Sequence, residues 1–369
     1  MSALSRAIRT VAIKALQCGA IPPHVGFIMD GNRCYGCKVQ VGNSRGYYLG
    51  YEALEEILAV CMEMGVKVVT VYAFSIENFK RPPDQVETLM ELAKTKLAEL
   101  CEHSELVNRY GIGIRVLGDD TLLPEDVRQV VRRAVDLTKK NNRAILNMCF
   151  PYTSREELTM ASRSLVNGIE AYELNPSDIT TSVLEDSLYT RSCPPMDILV
   201  RTSGEIRLSD FMIWQSSRAC HVEFIDCYWP EFTFWKLLPI LLRYQLQAGS
   251  IAQSRREYER RDNLISSEKS NHADIIEEDS AETSEAVSSA AGAGAGAGVP
   301  QDLTEHVMTN LRLSRSSSES TLVTAASEYD EDEEEEDSRG MDCYNCQAKE
   351  KRQRVAEFLT HRGHLPNSP

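Results

Sequence analysis

The first 261 residues alternate apolar, often β-branched runs with stretches whose apolar positions recur at helical spacing. His24–Met29, Val66–Ala73, Ile112–Leu117, Ala144–Phe150 and Met196–Arg201 read as strands. Leu49–Met64, Gln85–Tyr110, Pro124–Lys140 and Ser154–Tyr172 read as helices between them. Connections this long suit crossovers between parallel strands, so the expected fold is α/β, a central mostly parallel sheet flanked by helices. In open sheets of this kind ligands collect beyond the carboxyl ends of the strands. The residues just after each apolar run are therefore where function should be sought.

Three of those places are chemically rich. The first strand is followed by Asp30-Gly31-Asn32-Arg33, and the second by Phe74-Ser75-Ile76-Glu77-Asn78-Phe79-Lys80-Arg81-Pro82. The last ends in Arg201-Thr202-Ser203-Gly204-Glu205-Ile206-Arg207-Leu208-Ser209. Forked guanidiniums, hydroxyls and amides suit phosphate oxygens, and a carboxylate among them suits a Mg²⁺ that bridges phosphates. The chemistry implied is a di- or polyphosphate substrate, or two of them. There is no Gly-x-x-x-x-Gly-Lys-Ser/Thr loop, no dinucleotide glycine fingerprint and no His-Glu-x-x-His. Asp119-Asp120 lacks the third aspartate of an Asp-Asp-x-x-Asp box.

Charge separates this region from the remainder of the chain. The whole chain carries −15, but residues 262–369 hold 23 acidic and 9 basic side chains, or −14. The first 261 residues are close to neutral, which argues against a nucleic-acid binder. Residues 262–369 contain an Ala-Gly repeat (Ala291–Gly298), a Ser-rich stretch (Ser314–Ser320) and an acidic run (Asp330–Asp337). Such composition buries too little apolar surface to offset chain entropy, so a disordered tail is expected. Its basic end, Lys349–Leu359, has helical character, and we read it as solvated rather than docked. No run approaches the roughly 18 apolar residues of a membrane span. The charged Ser5–Leu16 segment does not read as a signal peptide, so the eleven cysteines suggest a reducing compartment.

Three blocks, His24–Asn32, Tyr72–Pro82 and Arg201–Phe211, resemble the cis-prenyltransferases, in order and in spacing. Within that undecaprenyl diphosphate synthase family they are most similar to the eukaryotic dehydrodolichyl diphosphate synthase catalytic subunits, over roughly residues 20–245. The resemblance implies repeated cis addition of isopentenyl diphosphate to farnesyl diphosphate, giving a ditrans,polycis-polyprenyl diphosphate for dolichol synthesis and protein glycosylation. It implies Mg²⁺ held by Asp30, with Gly31, Asn32, Arg33 and Tyr35 around the allylic diphosphate. It places Ser75, Glu77, Asn78, Phe79 and Arg81 in a loop covering the reacting carbons, where Asn78 assists proton removal and Phe74 and Phe79 exclude water. Arg201, Arg207 and Ser209 correspond to the isopentenyl diphosphate clamp. An apolar tunnel is implied for the product, with Ala73 and the helix Leu89–Leu100 as candidate walls.

Three positions depart from the family pattern. Cys34 stands where Asp-Gly-Asn-x-Arg-aromatic has arginine, and Asn43-Ser44-Arg45-Gly46-Tyr47 replaces Arg-x-x-Gly-His. An active enzyme is the expectation, and a weakened paralogue acting as a binding or regulatory subunit is the alternative. Cys34/Cys37 and Cys343/Cys346 would suit a four-cysteine zinc site, but we read the two pairs as unrelated. The N-terminal residues 1–19 place Leu4, Ile8, Val11 and Ala15 on one helical stripe, which would lie on a membrane or pack on the domain. No Arg-x-Gly triplet follows Trp229-Pro230-Glu231. In the eukaryotic branch a non-catalytic partner subunit supplies that motif, so the resemblance implies a hetero-oligomer. Its expected place is the cytoplasmic face of the endoplasmic reticulum, peripherally bound, with lipid droplets as a second location. The domains expected are thus an N-terminal helix (1–19), a catalytic domain (20–261) and the tail (262–369).

Overall fold

The computed structural model describes residues 3–102, 105–291 and 350–361. Six strands form one fully parallel sheet: β1 (His24–Ile28), β2 (Val68–Tyr72), β3 (Ile112–Leu117), β4 (Ala144–Cys149), β5 (Ile198–Arg201) and β6 (His221–Phe224). Their order across the sheet is β3-β4-β2-β1-β5-β6. β1 and β5 are buried at every position, as expected for parallel strands covered on both faces. The helices are α1 (Ala3–Leu16), α2 (Asn32–Lys38), α3 (Gly42–Met64), α4 (Pro83–Glu102), α5 (Glu105–Tyr110), α6 (Glu125–Thr138), α7 (Ser154–Glu170), α8 (Thr181–Asp186), α9 (Ile213–Ser216) and α10 (Phe234–Ala291). All six strands and the stretch Gln353–His361 belong to one compact unit; of the described residues, 268–291 and 350–352 belong to a second.

Two features position the site. The first is strand adjacency: β5 lies beside β1 with Ile28 opposite Arg201, so two strand ends far apart in sequence become neighbours. The second is a glycine-faced contact between α2 and α3. A side chain at Gly36 would meet the Gly42 carbonyl at 2.4 Å, and one at Gly46 would meet the Asn32 carbonyl at 2.3 Å. Glycines four apart at 42, 46 and 50 share a helix face, so a stretch that propensity disfavours closes against its neighbour. That is why α3 starts at Gly42 and not at Leu49, where apolar periodicity begins.

Apolar residues of α1, α3 and α10 pack with β1, β2 and β5 in one core, including Ile57, Leu58, Phe27, Trp229 and Ile240. α4 and α6 cover the other flank through Met90, Leu97, Val127 and Val131. α1 docks through Ala12, Ile13 and Leu16, with Arg9 paired to Glu63 at 3.2 Å. Ile8 and Val11, on the stripe singled out in the sequence, stay 49% and 67% exposed. Among the described residues no helix is long and apolar enough to cross a membrane.

The region expected as a solvated tail contributes to the fold at both of its described ends. α10 runs through residue 262, where Asp262 pairs with Arg218 at 2.6 Å. Residues 350–361 are helical, and Phe358 is buried against Leu165, Leu174 and Val183. Arg354 meets the fully buried Asp178 at 3.2 Å. An aromatic anchor and a guanidinium one helical turn apart thus find a matching groove beside α7 and α8. The Ala-Gly repeat beyond Ala291, the Ser-rich stretch, the acidic run and Cys343/Cys346 lie outside the described residues.

Candidate active site

A cavity of about 670 Å³ opens at the carboxyl ends of the strands. Its depth is apolar, walled by Leu54 and Leu58 of α3, Leu89, Leu92, Ala93, Leu97 and Leu100 of α4, and Ala73, Leu146 and Met148 from the sheet. Its mouth is polar and carries five arginines: Arg33, Arg81, Arg155, Arg201 and Arg207. A buried hydrocarbon slot ending in guanidiniums suits an amphiphile with an anionic head and an apolar tail.

Arg201 is the centre of the mouth. It is only 3% exposed, and its Nη2 donates to Asp30 Oδ2 at 2.8 Å. Its Nη1 donates to the Ser209 hydroxyl at 2.7 Å and to the Arg207 carbonyl at 2.5 Å. Asp30 Oδ1 accepts the Gly31 N–H at 2.8 Å. Gly31 has φ 94, and any Cβ there would sit 2.6 Å from the Tyr228 ring, so glycine is required on both counts. Among the described residues no three His, Cys, Asp or Glu side chains cluster as a metal site. The Asp30 carboxylate among these arginines fits Mg²⁺, which takes one or two carboxylates and completes its shell with phosphate oxygens and water.

The segment that the resemblance implies as a cover is a short 3-10 turn, Ile76–Lys80. Ser75 caps it by accepting the Glu77 N–H, and Asn78 Oδ1 accepts the Ser75 N–H at 3.1 Å. One acceptor site of Asn78 is thus committed to shaping the turn, and the residue lines the cavity. Glu77 also lines the cavity, but its carboxylate is paired with Lys80 and Arg155. Lys80 first, then Arg155, lower its pKa. Arg81 follows the turn, its pKa lowered by burial and by the neighbouring Arg33 charge, with Tyr47 and Asp30 opposing.

Gly31, Asn32, Arg33, Phe74, Ser75, Arg207 and Ser209 also line the cavity. Asn32 donates to the Met29 carbonyl at 3.1 Å, which fixes the entry into α2. Tyr35 and Phe79 do not line it, contrary to the reading from the motifs. Tyr35 lies one residue past Cys34, and a helix turns each successive side chain about 100°, which carries it off the cavity face. Phe79 packs edge-on against Phe74 at 4.9 Å, so it supports the wall from behind.

Cys34 and Tyr47, the two departures whose side chains are described at the site, both reach the cavity. Tyr47 is 8% exposed, beside Arg81 and Arg33, and burial raises its pKa against their pull. Its hydroxyl is shut off from solvent, and its own proton has no acceptor among the described residues. Among the cavity residues missed from sequence are Arg155 and Asp210. Arg155 follows β4, so the strand-end rule applied to β1, β2 and β5 would have found it had it been carried to that strand too.

The family described as putative undecaprenyl diphosphate synthase matches residues 28–252. The chain belongs to the cis-prenyltransferase family. It is 44% identical over 240 residues to a dehydrodolichyl diphosphate synthase complex subunit of Schizosaccharomyces pombe, covering 65% of this chain and 91% of that one. It is 46% identical over 243 residues to the human subunit of that name, covering 66% of this chain and 73% of that one. Among solved structures, lavandulyl diphosphate synthase from Lavandula x intermedia, in complex with dimethylallyl diphosphate, superposes with a TM-score of 0.58 at 29% identity, covering 61% of this chain and 95% of that one. This cis-prenyltransferase chain therefore carries the family's sheet, with Arg201, Arg207 and Ser209 at the cavity and altered residues near α2 and α3.

Proposed function

We propose that the chain is the catalytic subunit of a complex that extends farnesyl diphosphate with isopentenyl diphosphate, making ditrans,polycis-polyprenyl diphosphate for dolichol synthesis and protein glycosylation. One observation carries the reading: the Asp30–Arg201 contact joins two arginine-bearing anion sites at the mouth of a single apolar cavity. Two diphosphates held side by side there would direct both hydrocarbon portions inward.

Arg33, Arg81 and the amides around Gly31 hold the allylic diphosphate. Arg201, Arg207 and Ser209 hold isopentenyl diphosphate. As the allylic C1–O bond breaks, negative charge grows on the departing diphosphate, and fixed guanidiniums stabilise that state more than the ground state. C4 of isopentenyl diphosphate bonds to the allylic C1, the proton lost from C2 passes to the released diphosphate, and the lengthened chain keeps the diphosphate of the isopentenyl unit. Asn78 shapes the turn over these atoms, and Phe74 closes the cavity against water. Mg²⁺ bound at Asp30 would supply charge neutralisation for the leaving group.

The relatives are named as subunits of a complex, which supports a partner subunit here. β6 is an edge strand with Phe224 exposed, and α10, tied to it by Arg243–Glu223, exposes Trp235, Leu242 and Leu246. That apolar surface suits such a partner. The exposed Ile8 and Val11 of α1 suit peripheral contact with the cytoplasmic face of the endoplasmic reticulum. The experiment is incorporation of radiolabelled isopentenyl diphosphate into long-chain lipid with farnesyl diphosphate, Mg²⁺ and the partner subunit. Label in butanol-extractable polyprenyl diphosphate is expected; none would overturn the reading.

A further inference from the structure

The turn that presents Ser209 to Arg201 is conformationally costly. Ser209, Asp210 and Met212 have φ of 51, 61 and 47, a left-handed region that side-chain-bearing residues disfavour. Such a turn persists only where its surroundings over-determine it. Phe211 and Met212 are fully buried, and Phe211 stacks on Tyr72 with ring centroids 4.5 Å apart. Those contacts anchor the far side of the turn, one residue beyond Asp210.

The near side is held by the first turn of α7. The Ser154 N–H donates to the Asp210 carbonyl at 2.8 Å, and the Ser154 hydroxyl accepts the Ile213 N–H at 2.9 Å. Both oxygens of the Asp210 carboxylate are taken by one residue: the Arg155 N–H reaches Oδ1 at 3.2 Å, and Arg155 Nε reaches Oδ2 at 2.7 Å. Arg155 then extends past Asp210 to Glu77, with Nη2 to Oε1 at 3.5 Å. One guanidinium thus touches both the clamp turn and the segment that covers the cavity. Its side chain is 74% exposed, and an isolated ion pair so exposed would contribute little. Here the pair sets the conformation of a ligand-binding turn, so its consequence should appear in ligand affinity.

We propose that Arg155 and Asp210 are positioning residues for the isopentenyl diphosphate clamp. Their pairing holds the Ser209 hydroxyl on Arg201 before ligand arrives, and through Glu77 it couples the seating of the covering turn to the clamp. This rests on the reading that Arg201, Arg207 and Ser209 bind isopentenyl diphosphate. Breaking the pair lets the turn relax, and the relief of backbone strain offsets the lost contact in overall stability. The loss then falls on the preorganised clamp.

The test compares Asp210→Asn, which keeps size but not charge, with Arg155→Lys, which keeps charge but not the Nε geometry. The full chain with its partner subunit is titrated with isopentenyl diphosphate by calorimetry, without allylic substrate, and KM is then measured for each substrate. We expect Kd and KM for isopentenyl diphosphate to rise about tenfold in Asp210→Asn and less in Arg155→Lys. KM for farnesyl diphosphate should stay within twofold, and Tm should be nearly unchanged. Unchanged Kd in both variants, equal losses for the two substrates, or a loss that tracks Tm would each overturn the inference. Wild-type chain that binds no isopentenyl diphosphate would instead remove the clamp reading, and this inference with it.

Discussion

The two proposed anion-binding ends of the cavity, the isopentenyl diphosphate clamp and the allylic end, are built on different terms. At the clamp, Arg201 is buried and held by three bonds to the protein, so its guanidinium is fixed before any ligand binds. At the allylic end, Arg33 is exposed on a seven-residue helix and donates only to Gln85, at 3.2 Å, among the contacts described. Arg81 follows a 3-10 turn, with Tyr47 and Asp30 offsetting the neighbouring Arg33 charge and Asp30 already on Arg201. The desolvation of the Arg201 Nη1 and Nη2 groups is offset by protein partners, while the buried Nε has none among the described residues; the other end leaves that to the ligand's own charge. Cys34 and Tyr47, the departures placed on the cavity wall, fall on the less constrained end. A site whose donors are not locked into a network tolerates their relocation better than one where each bond fixes the next.

Replacing the centre of the clamp should have the largest effect. Arg201→Ala frees the Asp30 carboxylate and unseats Ser209, and turnover should fall about a thousandfold, roughly 4 kcal/mol. Steady-state incorporation measures it, and a loss under tenfold would mean that the clamp is not the rigid end. Next, Cys34→Arg adds a guanidinium at the open end. It should raise kcat/KM for farnesyl diphosphate about tenfold, a charge-assisted bond contributing roughly 1.5 kcal/mol. If KM for isopentenyl diphosphate moves instead, the ends are not separable.

Tyr47→Phe asks whether the relocated donor is used. The hydroxyl proton has no acceptor among the described residues, so its removal should cost little in stability but raise KM for farnesyl diphosphate about fivefold, near 1 kcal/mol. An unchanged KM would leave Arg33 and Arg81 as the whole of that end. The smallest effect is expected far from both. Phe358→Ala should unseat the 350–361 helix from α7 and α8 and lower Tm by roughly 2–4 °C while turnover stays the same. A change in KM for isopentenyl diphosphate would tie that groove to the clamp through α7.

Much of the fold is legible along the chain because burial on both faces writes a parallel strand as an unbroken apolar run. Five strands were readable in this way. β6 was not, because it is an edge strand of four residues whose pattern, His221-Val222-Glu223-Phe224, is only partly buried. The early start of α3 was hidden because local propensity counts Gly42, Gly46 and Gly50 as breakers, whereas tertiary packing needs them small. Candidate site residues were read only after β1, β2 and β5, each of which shows in the sequence as an apolar run. Tyr35 and Phe79 were misplaced because a motif gives spacing along the chain but not the face on which a side chain emerges. The docked 350–361 helix was misread because its groove is assembled from residues more than 160 positions away.

By itself the sequence determined the α/β class, the arginines, hydroxyls and carboxylates at three strand ends and the neutrality of the region that holds them. These depend on local period and residue type, both of which are written in chain order. Only the tertiary structure decided that Asp30 meets Arg201 across 171 residues, that Arg155 joins Asp210 to Glu77, and that Tyr47 sits beside two guanidiniums. Those meetings arise from β5 lying beside β1, from the bridge between Ser75 and Tyr152, and from α2 closing on α3. Strand order and helix approach are set by the packing of the whole core, and no local stretch of sequence contains that information.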